Sequence, residues 1–184
     1  MDKLIASYNR ILVEHQIENN TFIVGSYSIL KFLGRNAGDL DFSLMSKPLI
    51  PFDIEKKIIS YSPTFHHPIE DGVDYYKNRY YVIGYRDKKI IKKGYIKLVL
   101  FDSVETWVVV PEIEIAYKLI MKRKKDIDDI NRIKSHYFNQ INWTFVDRIL
   151  SQSIYLIRIR QFYVLFFHRA NKLLNIVKSR LTKK

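Results

Sequence analysis

A glycine–serine turn followed by two closely spaced acidic residues constrains this fold more than any other part of the sequence. The apolar run Phe22–Val24 ends in Gly25 and Ser26, and twelve residues separate Ser26 from Asp39 and then Asp41. Residues two apart on a strand project to the same face, so both carboxylates are expected to lie together near the turn. Paired carboxylates repel each other unless a cation lies between them. A glycine turn also lets a phosphate chain approach the backbone. The stretch therefore predicts a Mg²⁺–nucleotide site.

The spacing of apolar residues predicts a mixed fold. Helical spacing predicts helices over Lys3–Ile17, Ser26–Leu33, Phe52–Tyr61, Pro111–Lys122, Asp126–Tyr137 and from Asn142 onward. Aromatic and β-branched runs predict strands over Thr21–Val24, Leu40–Met45, Tyr80–Tyr85, Ile90–Phe101 and Trp107–Val110. No clear period is visible over Ser62–Lys77, where a cluster of His and acidic residues is either a metal site or an exposed polar loop. This order indicates an α/β or α+β fold, a mixed sheet flanked by helices.

The C-terminal part of the chain differs from the rest in charge. The net charge is +12, and residues 148–184 contain nine Lys or Arg and no acidic residue. We therefore predict a domain over residues 1–137 and a basic, helical C-terminal region over residues 138–184. Cysteine is absent, and charged residues or Asn interrupt every apolar run before it reaches the length of a membrane span. A cytoplasmic protein is the expectation, with peripheral binding at the inner membrane surface as a variant of it.

The basic region carries an apolar stripe at helical spacing. The stripe consists of Tyr155, Ile159, Phe162, Phe166, Ala170, Leu173, Val177 and Leu181. Such a helix packs on its own domain or in an oligomer, lies on an anionic membrane surface, or binds RNA. The continuous, Phe-rich stripe favours packing or a partner protein first, a membrane second and RNA third.

The opening stretch resembles the nucleotidyltransferase fold superfamily, of the minimal or AbiEii-toxin-like kind found in toxin–antitoxin systems. The resemblance rests on Gly25-Ser26, the spacer and Asp39-Leu40-Asp41, and it is supported by a later helix with Lys118, a basic turn and Asp126. By order of elements it covers residues 1–133. It implies a nucleotidyltransferase-like mixed sheet with a helical C-terminal extension.

The resemblance implies metal-assisted transfer of a nucleotide. Two Mg²⁺ ions, or Mn²⁺, bridge the carboxylates of Asp39 and Asp41 and the triphosphate. Gly25 lets the backbone come near the phosphates, and Ser26 donates a hydrogen bond to a phosphate oxygen.

A third carboxylate is expected on a neighbouring strand, between apolar residues. The position where the acid is most expected is Val99, a departure from the family pattern. Asp102 follows at the strand end, and Lys97-x₄-Asp102 is similar to a basic-x₄-acid element of AbiEii-like toxins. Asp102 is accordingly the candidate third catalytic and metal-binding acid, whereas Glu105 is a poorer substitute.

Three further residues have both a functional and a structural interpretation. Lys118 either reaches the triphosphate as a point charge or is a surface lysine. Asp126 is a nucleotide-site candidate by the family pattern and also a plausible helix cap. Arg35 lies between the glycine turn and the acids, and it either contacts substrate or is solvated.

The resulting hypothesis is a Mg²⁺-dependent nucleotidyltransferase that moves a nucleotide from ATP, GTP or CTP to RNA, protein or a small molecule such as a glycan intermediate. The alternative is a catalytically degenerate binding module, associated with a membrane or RNA through its basic helix. Val99 in place of an acid motivates that alternative. A third hypothesis is a membrane-surface protein led by the tail.

Overall fold

The computed structural model describes residues 2–45, 65–70, 72–101 and 104–153. Within these ranges six helices and a six-stranded mixed sheet form an α+β fold, which confirms the predicted class. The helices are α1 (Lys3–Glu14), α2 (Leu30–Leu33), α3 (Asp87–Lys92), α4 (Pro111–Met121), α5 (Lys124–His136) and α6 (143–153). The strands are β1 (Thr21–Val24), β2 (Leu40–Leu44), β3 (Phe65–Glu70), β4 (Val73–Lys77), β5 (Ile96–Phe101) and β6 (Val104–Val109).

The strand order is β3-β4-β2-β1-β6-β5. Strand β2 runs antiparallel to β1 and parallel to β4, and β1 runs parallel to β6. The hairpins β3–β4 and β5–β6 are antiparallel and form the two ends of the sheet. The strand that carries Asp41 therefore has β1 and β4 as neighbours, whereas β5 lies beyond β1 and β6.

Helix α1 covers one face of the sheet. Its buried residues recur at helical spacing and are Ile5, Tyr8, Ile11 and Leu12. The Asp2 side chain caps the helix by accepting a hydrogen bond from the Leu4 N–H at 2.9 Å. The Tyr8 hydroxyl lies 2.7 Å from Thr21 Oγ1, so its polar end is satisfied inside the apolar layer.

The remaining helices pack against the opposite face, in a second apolar cluster. Residues of the C-terminal region belong to it, because Ile141, Val146 and Ile149 are buried there. Ser153 Oγ also donates a 3.2 Å hydrogen bond to the Ile83 carbonyl oxygen. The described start of this region thus packs on the sheet domain, while the division predicted after residue 137 stays a prediction.

Two predicted strands are wrong in part or entirely. The segment predicted as a strand over Tyr80–Tyr85 is mostly a 3₁₀ helix over Arg79–Ile83. The strand predicted from Ile90 begins only at Ile96, after α3 and a turn at Gly94. Both segments bury short apolar runs in the core, and such runs do not distinguish helix from strand by periodicity.

Other differences are smaller. The predicted helix after Ser26 is a 3₁₀ helix over Gly25–Ile29 followed by the single turn of α2. Strands β3 and β4 occupy part of the segment in which no period was visible. The predicted helix Phe52–Tyr61 and the apolar stripe beyond residue 153 lie outside the described residues. Within the described ranges, no helix has the length and apolarity needed to cross a membrane.

Candidate metal and nucleotide site

The turn after β1 places the backbone of Gly25 directly against Asp41. Gly25 has a φ of +71°, and a Cβ at this position would overlap Asp41 Oδ2. Its N–H donates a 3.0 Å hydrogen bond to the Tyr80 hydroxyl oxygen. The glycine is therefore required twice, by its left-handed backbone and by the carboxylate that touches it. The predicted proximity of Gly25 to Asp41 is confirmed.

Three carboxylates come together beside this turn. Asp39 precedes β2, Asp41 lies on β2, and Asp74 lies on β4 as the register partner of Asp41. One oxygen from each lies within 4.8 Å of the others, and in the described part of the chain this is the group that could hold a metal ion. Asp41 is buried, whereas Asp39 and Asp74 are partly exposed. The acidic centre is thus buried on the side of Asp41, which we call its floor, and open to solvent on the side of Asp39 and Asp74.

The two oxygens of Asp41 have different surroundings. Oδ2 accepts from Arg79 Nη1 at 2.8 Å, and Oδ1 is buried without a hydrogen-bond partner among the described residues. Burial raises the pKa of Asp41 to about 7, against the opposing effect of Arg79 and with a further rise from Asp39. An unsatisfied buried carboxylate oxygen is unfavourable unless a proton or a cation binds it. Oδ1 is accordingly an oxygen that either a proton or a cation could satisfy.

A fully buried carboxylate, Glu114, organises the floor of the site. Its Oε2 accepts from the Tyr80 hydroxyl at 2.8 Å and lies 3.5 Å from Arg79 Nε. The Tyr80 hydroxyl therefore links Gly25 to Glu114, and burial raises its pKa well above the ordinary value. The proton stays on Tyr80, and the hydroxyl serves as both donor and acceptor.

Lys118 is buried in a cluster of acids. Its ammonium group donates to Asp126 Oδ1 and Asp129 Oδ2 at 3.0 Å each, and to Ser26 Oγ at 3.3 Å. The structure thus brings three predicted site residues together: Lys118, Asp126 and Ser26. All three N–H groups of the ammonium already have acceptors, so in this arrangement Lys118 positions the Ser26 turn. The interpretation of Lys118 as a surface lysine is wrong, since it is 1% exposed.

Two arginines complete this cluster. Arg35 forms a two-pronged ion pair with Asp129, with distances of 2.8 to 3.1 Å. Arg123 Nε contacts Asp126 Oδ2 at 2.6 Å, and the Arg123 backbone N–H donates to the same oxygen at 3.3 Å. The N-cap residue of α5 is Arg123 and not Asp126 as the sequence suggested, and Asp126 caps the helix from its third position while also holding Lys118.

His66 lies at the open side of the acidic centre. Its Nε2 is 2.6 Å from Asp74 Oδ2, and its ring stacks on Tyr76 with centroids 4.5 Å apart. His66 belongs to the His and acid cluster that the sequence contains, and one acid of that cluster, Asp74, is in the metal-binding group. His67 and Asp71 belong to the same cluster, and their side chains lie outside the described residues.

In the described structure, a third acid beside Asp39 and Asp41 comes from β4. Val99 lies on β5 opposite Thr106 and packs in the apolar cluster on the α1 side of the sheet. An acid at Val99 would have been separated from β2 by two strands, β1 and β6. Asp102 lies outside the described residues, so its proposed role stays a prediction. The sequence interpretation considered Asp74 only as part of the His and acid cluster, although Val73-Asp74-Tyr75 has the apolar–acid–apolar pattern that was sought for the third acid.

The donor set fits a hard divalent cation. Three carboxylates offer oxygen ligands, which Mg²⁺ and Mn²⁺ prefer, and Asp41 Oδ1 has no other partner in the described structure. The Gly25 turn lies beside the same carboxylates, and its lack of a Cβ leaves room for Asp41 against the backbone.

The chain was also compared with protein-family models, with curated proteins and with solved structures, and none of the three comparisons found a match.

Proposed function

We propose that this protein binds a divalent cation and a nucleoside triphosphate and transfers a nucleotide to an acceptor. The observation that carries the proposal is the convergence of Asp39, Asp41 and Asp74 beside the Gly25 turn. The resemblance of the turn and the Asp-x-Asp strand to nucleotidyltransferases supports the same assignment. Mg²⁺ bound there would supply Lewis-acid stabilisation of the charge that develops on the phosphate oxygens.

The chain's own residues contribute binding and orientation. Asp39, Asp41 and Asp74 would hold the cation. The Gly25 turn would hold the Asp41 carboxylate in place, and Ser26, whose oxygen accepts from Lys118, has a hydroxyl proton to donate to a phosphate oxygen. Lys118 would act through Ser26 and the α5 acids rather than by direct contact.

Label transfer from each radiolabelled nucleoside triphosphate to total RNA, to protein and to the chain itself tests this function. Asp74→Asn and the double change Asp39→Ala/Asp41→Ala should each abolish transfer. Asp128→Asn is the matched control, since Asp128 is an exposed acid in the second Asp-x-Asp of the chain. Transfer that persists in Asp74→Asn would refute the assignment of Asp74 as the third acid.

One observation favours a second candidate, a binding module without turnover. Arg79 already pairs with one oxygen of Asp41, which reduces what that carboxylate can offer to a metal. Nucleotide binding without label transfer, measured on the same samples, would favour this candidate. RNA, a membrane surface and a partner protein remain the proposed contacts of residues 148–184.

A further inference from the structure

The number of cations that the acidic centre can hold depends on Asp41. In two-metal sites the ions lie about 3.5–4 Å apart and shared carboxylates give one oxygen to each ion. Only one oxygen of Asp41 is available to a metal ion. Its Oδ2 is 2.8 Å from Arg79 Nη1 and touches the Gly25 backbone, whereas Oδ1 is buried and unpaired in the described structure.

Arg79 is held from several sides. Its side chain is 7% exposed, and its guanidinium carbon lies 4.8 Å from the centre of the Tyr76 ring and 5.1 Å from that of Tyr117. Its Nε faces Glu114 Oε2 at 3.5 Å. Displacing the guanidinium would leave Asp41 and Glu114 as buried like charges, which is strongly unfavourable. A metal ion is therefore not expected to replace it.

The backbone under Arg79 is fixed as well. Asn78 N–H donates to Asp87 Oδ2 at 2.9 Å, and Asp87 N–H donates to Asn78 Oδ1 at 3.1 Å. This reciprocal pair closes the loop that contains the 3₁₀ helix Arg79–Ile83. The backbone that carries the guanidinium is thus held by the fold.

The net charge of the ion-paired residues around the site also indicates a single divalent cation. Four permanent cations, Arg35, Arg79, Lys118 and Arg123, are paired with carboxylates of the network. Six carboxylates belong to it: Asp39, Asp41, Asp74, Glu114, Asp126 and Asp129. With the imidazole of His66, which pairs with Asp74, counted as neutral, the excess among the described residues is two negative charges, which one divalent cation balances.

We propose that the centre takes one divalent cation where the resemblance implies two, and that the Arg79 guanidinium is the fixed second cation beside Asp41. The inference rests on the proposed function, because it concerns the same site. The single ion binds Asp41 through Oδ1, together with Asp39 and Asp74. Arg79 stabilises the other oxygen and prevents Asp41 from bridging two ions.

Electron paramagnetic resonance of Mn²⁺ tests this stoichiometry directly. The probes are Mn²⁺ alone and Mn²⁺ with inorganic tripolyphosphate at a concentration equal to that of the protein, which supplies the phosphate chain of any nucleoside triphosphate. We expect saturation at one protein-bound Mn²⁺ per chain, with the spectrum of an isolated ion, in both cases. A spin-coupled Mn²⁺ pair would overturn this inference and leave the proposed function standing. No protein-bound Mn²⁺ would overturn both.

Variants of Arg79 test whether its positive charge limits the number of bound Mn²⁺ ions. Arg79→Gln frees Asp41 Oδ2, so the Mn²⁺ count should rise from one to two and a coupled spectrum should appear. Arg79→Lys keeps a cation and should stay at one, as should Arg86→Gln, which neutralises an exposed arginine nearby. A count of one in folded Arg79→Gln would overturn the role of Arg79. If circular dichroism shows that Arg79→Gln is unfolded, the wild type and Arg79→Lys still decide the stoichiometry.

Discussion

Replacing Gly25 with alanine should disrupt the site far more than the same change at Gly94. Both glycines have left-handed backbone, with φ of +71° and +66° respectively. A Cβ at Gly25 would overlap Asp41 Oδ2 and lie 3.0 Å from Asp41 Cγ, whereas a Cβ at Gly94 meets no atom within 4 Å. Both variants therefore have the cost of a strained backbone, whereas only Gly25→Ala also has the cost of displacing the Asp41 carboxylate.

The shared cost is the backbone strain of an L-residue in the left-handed region, about 1–2 kcal/mol. The added cost at Gly25 comes from moving the Asp41 carboxylate away from Arg79 Nη1, at present 2.8 Å from it. Breaking a buried ion pair in this way costs about 3–5 kcal/mol. We therefore expect Gly25→Ala to lose about 3–5 kcal/mol more unfolding free energy than Gly94→Ala.

Urea unfolding followed by circular dichroism measures both losses under the same conditions. Titration with Mn²⁺ then shows whether the displaced Asp41 still contributes to metal binding, and we expect at least about a tenfold loss of affinity in Gly25→Ala, which corresponds to about 1.4 kcal/mol. Equal destabilisation of the two variants would refute the view that Asp41 requires a glycine at position 25.

Three further predictions concern stability. Tyr80→Phe leaves the Gly25 N–H without its acceptor and removes a hydrogen bond to the buried Glu114 carboxylate, so thermal unfolding should show a loss of about 1–3 kcal/mol. Lys118→Met should cost about 3–5 kcal/mol in urea unfolding, while exposed Lys125→Met should stay within about 0.5 kcal/mol; similar values for both would contradict the buried network. Burial raises the pKa of Asp87 to about 6 from 3.8, so between these pH values the folded state binds more protons than the unfolded state. Stability should therefore fall by about 3 kcal/mol as pH rises through that window, and Asp87→Asn should remove this part of the fall; identical pH profiles would show that Asp87 is not responsible.

Sequence reasoning could predict contacts between site residues that lie on neighbouring elements of the chain. Gly25, Asp39 and Asp41 lie on neighbouring elements, and period-two alternation was enough to predict that they meet. Asp74 could not be placed in the same way, because its contact with Asp41 depends on β4 pairing with β2. The strand order cannot be obtained from periodicity, and the third acid was therefore sought near Val99 on β5, where the role of Asp102 stays a prediction.

Arg79 was missed for a related reason. It directly precedes the aromatic-rich segment Tyr80–Tyr85, which was predicted to be a strand, whereas the structure has a 3₁₀ helix over Arg79–Ile83. Tertiary packing decided the conformation of this short apolar run. Lys118 was identified from the family pattern, but its saturation by Asp126 and Asp129 depends on how α4 and α5 pack.

The strand pairing also affects how this protein folds. Strand β1 meets β6 with Ile23 opposite Val108, and the floor of the site combines residues from Gly25 to Asp129. Contacts between such distant parts of a chain form slowly, because loop-closure entropy is lost before any contact energy is gained. A cation that needs the finished site binds only the native state. Each hundredfold excess of the cation over its dissociation constant should thus shift the folding equilibrium by about 2.7 kcal/mol.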